Sequence, residues 1–233
     1  MFESNTLNWP GIQNYRTAEE INSAMSRVYG YMMMAVIVSM AVAAFVGFNP
    51  ALVAFFFTGW MKYVTMFLPL VAVIGIGMAL NADPPKELAL ALLAGFSAIM
   101  GLSFAVIFAV FKLGSVFGAF MGAAILFGVM SLYGYFTKKN LDSVGKFMFV
   151  GLIAIIIASI INIFIGSSVM AMVISALAII IFLGLTAYDT QKIREMVMQD
   201  TSSAVEVSGA LTLYLDFINI FLSLLQLFGD KKE

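Results

Sequence analysis

Apolar residues fill most of this chain, and short polar breaks cut them into seven long runs at 28–48, 63–80, 88–108, 114–136, 147–165, 169–188 and 209–228. Each run is about the length that carries an α-helix across a bilayer. The last run, GALTLYLDFINIFLSLLQLF, is not uniform. Thr212, Asp216, Asn219, Ser223 and Gln226 recur in it at steps of four, three, four and three. That spacing lays all five on one stripe of a helix. An interfacial helix would carry Lys or Arg on its polar face, and this stripe has none. The stripe must therefore face protein or water inside a bundle. A carboxylate at such depth is costly and marks a functional site.

The breaks predict the connections. Thr17 followed by Glu20 reads as a capping box that opens a short interfacial helix in a polar tail, a candidate lid. Asn49-Pro50 ends the first span, and 51–61 is apolar but too short to cross, so it reads as a loop or interfacial segment. Pro69 should kink the second span. Ala35, Ser39, Ala43 and Gly47 form one ridge of small residues, and Gly114, Gly118 and Gly122 a second; both suit close helix packing. Ser159 and Asn162 share a face of the fifth span, for interhelical hydrogen bonding or for lining a water path. The sixth span runs unbroken into DTQKIR, so its helix should project past the membrane. The expected organisation is a polar N-terminal tail (1–27), an all-α seven-helix membrane domain (28–229) and a short C-terminal tail (230–233).

Composition narrows the chemistry. The chain is 62% hydrophobic and 11% charged, with a mean hydropathy of +1.03, far from the balance of a soluble domain. A net charge of -1 offers no basic surface for nucleic acid. The absence of Cys and His excludes disulfides, thiolate or imidazole metal sites and the usual pH switch near neutrality. No cofactor and no enzymatic activity are expected, and no cleavable signal peptide is visible. Lys and Arg counts orient the bundle. Arg16, Arg27, Lys86, Lys138, Lys139, Lys146, Lys192 and Arg194 share one side with the N-terminus, against Lys62, Lys112, Lys231 and Lys232, which favours a cytoplasmic N-terminus.

Two acids stand apart from the loop acids. Asp189 closes the sixth span and Asp216 lies within the seventh. If they meet across the helical hairpin, low dielectric and mutual repulsion make them share one proton. Once deprotonated, they repel each other or bind a divalent cation that takes hard oxygen ligands, transiently calcium. The alternative is local: Asp189 pairs with Lys192, and Thr212 and Asn219 satisfy Asp216.

GLTAYDTQKI (184–193), LYLDFINIFLSLLQLFG (213–229) and LYGYFTKKNLDSVGKFMFVGLIAIIIASIINIFI (132–165) closely resemble the Bax inhibitor family in its bacterial branch. The resemblance covers 27–229. It implies six helices around a central, more polar seventh, in the bacterial inner membrane. It also implies a calcium leak tuned by pH, with Asp189 and Asp216 as proton sensor. Thr212, Asn219, Ser223, Gln226 and Asn162 are then the pore-lining candidates. The family's latch takes an arginine from the second helix. Here that helix has none, and Lys62 is the one cation near it, so a latch would rest on a point charge. Calcium ions, protons and lipid are the implied partners. The resemblance also implies a rival role, a non-transporting modulator of a membrane-bound ATP-dependent protease. Two other classes fail on residues. The seventh span has no Lys for a retinal Schiff base, and the glycine-rich motif of intramembrane aspartyl proteases is missing.

Overall fold

The computed structural model describes residues 16–232, and all of its regular structure is helical. The helices are α1 (Ala18–Gly47), α2 (Pro50–Phe57), α3 (Met61–Leu80), α4 (Lys86–Val110), α5 (Leu113–Phe136), α6 (Asp142–Ile165), α7 (Ser168–Gln199) and α8 (Ser203–Phe228). All but α2 are long and apolar enough to cross a membrane, so the chain is a seven-span bundle.

Local sequence sets the ends. Thr17 Oγ1 accepts from the Glu20 amide, and the Glu20 carboxylate accepts from the Thr17 amide. The expected short helix is the opening of one continuous α1, because nothing between Glu20 and Val28 breaks it. The remainder of the tail, 1–15, lies outside the described residues, and so does Glu233. The segment after Asn49 is itself a short helix. The Asn49 side chain accepts from the amides of Ala51 and Leu52, and Pro50 takes the first position, where its missing N–H costs nothing.

Helix α8 is the axis. It packs against α1, α3, α4, α5 and α7, and most of its residues are buried. Tyr214 is fully buried on its far face, where the phenol meets Ser39 Oγ at 2.7 Å. The ring of Phe96 lies edge-on to it. The first small-residue ridge is an interface: a Cβ on Gly101 of α4 would stand 2.5 Å from the Ser39 carbonyl oxygen of α1, and one on Gly47 would stand 2.6 Å from the Ala105 carbonyl oxygen.

The second ridge is not an interface. Beta carbons on Gly114 and Gly118 would meet open space, and one on Gly122 would only touch Leu224 at 3.4 Å. The close approach of α5 is made by Gly134, whose Cβ would run into the Ala187 backbone of α7. Equal spacing does not say which face of a helix finds a partner.

Pro69 stands inside α3, and it removes the amide that would bond the Thr65 carbonyl. Ser103 Oγ of α4 donates to that carbonyl at 2.8 Å, the kind of repair a proline needs where water is absent. Ser103→Ala should lower stability in detergent by about 1 kcal/mol. Pro69→Ala restores the helical amide, so the loss should shrink in the double variant. A thermal-melt double-mutant cycle without coupling would refute this link.

Helix α6 is held differently. Among the described residues it contacts α7 alone of the helices. The contacts are tight. A Cβ on Gly145 would enter the Tyr188 ring, and one on Gly184 would strike Met148. With α6 standing off α8 and α3, a gap is left over one face of α8.

Candidate functional site

That gap is a cavity of about 1080 Å³. Its floor is the polar stripe: Thr212, Asp216, Asn219, Ser223 and Gln226 all line it. Asp189 and Ser175 of α7, Lys146 and Ser159 of α6 and Val73 of α3 complete the wall with apolar neighbours. The stripe found by its spacing is thus one continuous surface facing an open space.

Asp189 and Asp216 both line this cavity, with their carboxyls near enough to share a hydrogen bond. Two carboxylates only accept, so such a contact requires one of the two to hold a proton. Asp216 is 3% exposed, and its Oδ2 is buried with no hydrogen-bond partner among the described residues. The local alternative fails on geometry. Lys192 pairs with Glu195 at 3.1 Å. Thr212 and Asn219 donate to the carbonyls of Ser208 and Leu215 within α8.

The two acids are level because both helices outrun their apolar runs. Asp189 stands ten residues before the end of α7 at Gln199, and Asp216 thirteen after the start of α8 at Ser203. At about 1.5 Å per residue these are depths of roughly 15 and 20 Å from the shared turn. Measured from the apolar run 169–188 alone, Asp189 falls just past its end.

Two predicted site residues sit elsewhere. Lys62 is in the first turn of α3, at the end of the bundle opposite the α7–α8 turn, with its ammonium 4.9 Å from the Tyr63 ring centre. It lines a separate cavity with Thr65 and Ser103 and makes no ion pair among the described residues, so it does not reach the carboxyl pair. Asn162 accepts from the Ser167 amide at the α6–α7 turn at 3.1 Å; Ser159, not Asn162, lines the main cavity.

Sequence reasoning missed two clusters. Glu206, in the first turn of α8, takes Arg27 through both carboxylate oxygens, at 2.6 and 2.7 Å, and Arg16 at 3.1 Å. Arg16 also donates to the Thr201 carbonyl. These bonds tie the start of α1 to the α7–α8 turn. An acid in a first turn reads simply as a helix-end charge, so nothing in the spacing revealed its partners. The second is a hydroxyl chain, Tyr29 to Ser131 at 2.6 Å and Ser131 to Thr190 at 3.0 Å, joining α1, α5 and α7 beside Asp189.

No group of three or more acidic side chains converges among the described residues. Two carboxyls with the stripe's neutral oxygens are too few for a tight calcium cage.

The model of the family described as Inhibitor of apoptosis-promoting Bax1 matches residues 21–233. Inner membrane protein YbhL of Escherichia coli K12 is 35% identical over 218 residues, covering 91% of this chain and 93% of its own. An uncharacterized protein of Borreliella burgdorferi is 36% identical over 218 residues, 91% of this chain and 94% of its own. An uncharacterized membrane protein of Streptococcus pyogenes serotype M1 is 39% identical over 171 residues, 72% of this chain and 73% of its own.

Proposed function

This chain belongs to the Bax inhibitor family, and from that premise and the paired carboxyls we propose that it is a pH-sensitive calcium leak of the inner membrane with a cytoplasmic N-terminus. One observation carries the reading: Asp189 and Asp216 meet on a polar-floored cavity, and among the described residues neither forms an ion pair with a cation.

With one proton between them, the two carboxyls tie α7 to α8, and the path is closed. When the proton leaves, two anions stand together in a low-dielectric site and repel. The bridge opens, and a hard divalent cation is the natural occupant. Thr212, Asn219, Ser223 and Gln226 then offer oxygens along one line of the cavity. Flux is therefore low while the pair holds its proton and rises as pH rises through its titration.

Calcium entry into proteoliposomes, followed across pH, tests this. Asp216→Asn leaves no acid to share a proton with Asp189, and its flux should lose the parent's pH dependence. Equal flux from Asp216→Asn and the parent at every pH would sink the proposal.

A second reading, a non-transporting modulator of a membrane-bound ATP-dependent protease, is favoured by one contact. Arg16, the first described residue, is bonded to Glu206 and Thr201 at the α7–α8 turn. On that reading, deletion of residues 1–15 abolishes regulation and leaves flux intact.

A further inference from the structure

The polar stripe of α8 runs on past the aspartates. Its last member, Gln226, also lines a second cavity, of about 540 Å³, at the end of the bundle away from the α7–α8 turn. Leu222 borders both cavities, so the two adjoin along α8. The second is walled by the end of α4, the start of α7 and one basic side chain, Lys231.

Lys231 is there because the chain after α8 is strapped down. The Lys112 amide donates to the Asp230 carbonyl at 2.9 Å, and the Lys232 amide to the Val110 carbonyl at 2.8 Å. Phe111 and Lys231 thus face each other as an antiparallel bridge. Ser115 Oγ accepts from the Asp230 amide at 3.0 Å. Gly229 lets the strap lie flat, since a Cβ there would stand 2.8 Å from the Phe111 ring.

The neighbouring charges are otherwise placed. Lys232 Nζ donates to the Phe108 carbonyl, and neither Lys112 nor Asp230 lines the cavity. Lys231 has no carboxylate partner among the described residues. An ammonium carried into a cleft with low-dielectric walls repels cations and concentrates anions.

We propose that Lys231 is the specificity-determining charge of this second mouth, and that it limits the entry of cations to the Gln226 end of the stripe. The consequence for flux rests on the calcium-leak reading; the electrostatic effect does not. At a separation of several ångströms in a wet cleft, one charge changes local ion concentrations by a few-fold to about tenfold.

The chain has no cysteine, so Gln226→Cys supplies a unique thiol at an exposed position whose side chain makes no hydrogen bond among the described residues. In nanodiscs of uncharged lipid, its rates with a cationic and an anionic methanethiosulfonate reagent are compared. The anionic reagent should react faster by a few-fold or more. Adding Lys231→Gln should level the two rates and Lys231→Glu should reverse their order, while Lys112→Gln leaves the preference in place. Equal rates with and without Lys231, or no reaction with either reagent, overturns the proposal. In proteoliposomes, Lys231→Gln should raise calcium flux by a few-fold. A parent that shows the reagent preference but passes no calcium overturns the leak reading and leaves the charge filter standing.

Discussion

Glu206→Ala should cost about 3–5 kcal/mol, the largest loss expected of any single side-chain truncation in this chain. The Glu206 side chain is 5% exposed and answers two guanidiniums. The damage comes from what the substitution leaves behind. Arg16 is only 9% exposed, and its Nη1 already lacks a partner. Without Glu206 it keeps its charge with a single carbonyl, Thr201, to offset desolvation. Arg27 is different: at 40% exposed it can turn to water, so Arg27→Gln should cost no more than about 1–2 kcal/mol. In detergent thermal melts the Ala variant should fall by about 10 °C and the Gln variant by a few degrees. A Glu206→Ala midpoint within about 2 °C of the parent would show that the cluster is ornamental. The same cluster ties the start of α1 to the turn between the helices that carry Asp189 and Asp216.

What could be read from the residues follows the range of each interaction. Helix count and the five-residue stripe were legible because both are periodic and local. Hydrophobic length gives a span, and the four-three rhythm gives a face. Asp216 announced itself by being an acid among Leu, Ile and Phe. The depth of Asp189 is not legible from its apolar run, because hydropathy marks where lipid ends, whereas the pairing of two antiparallel helices is set by where they turn. Here α7 runs to Gln199 and α8 starts at Ser203. Partners distant in sequence were invisible. Glu206 and Arg16 lie 190 residues apart, and no local rule connects them. Lys62 drew attention as the lone cation near its helix, yet chain direction puts it at the far end of α3 from the α7–α8 turn. The cavity itself was also beyond reach. It exists because α6 leans on α7 alone, and an almost wholly apolar helix carries no mark of which neighbours it will lack.

The cavity and the stripe explain each other in energetic terms. Asp216 and Asn219 on a helix that packs against five others would be ruinous if every face were closed. The bundle leaves one face open, and the stripe lies there. The opposite face is closed by Tyr214, which reaches Ser39 and holds α8 to α1 two residues before Asp216. One side of α8 is therefore closed against α1 and α4, and the other faces the cavity.

That closed side gives the second large effect. Gly101→Val should destabilise the protein by about 3 kcal/mol, the upper end of what overpacking usually costs, because here backbone is what must yield. The new Cβ alone would lie 2.5 Å from the Ser39 carbonyl oxygen and 2.9 Å from the Ser39 Cα, neither of which is the free end of a side chain. Helix α4 must withdraw from α1, and Ser39 can then no longer hold both the Ser97 carbonyl and the Tyr214 phenol. Gly134→Val should fail in the same way against the Ala187 backbone, separating α5 from the helix that carries Asp189. Gly114→Ala and Gly118→Ala, on the more conspicuous ridge, enter open space. They should be neutral or stabilising by up to about 1 kcal/mol, because alanine is the better helix former. Yield and melting midpoint of the four variants separate the cases. If Gly114→Ala and Gly118→Ala lost as much as Gly101→Val, the exposed ridge would have to be an interface with another molecule, and the packing described for α5 would be wrong.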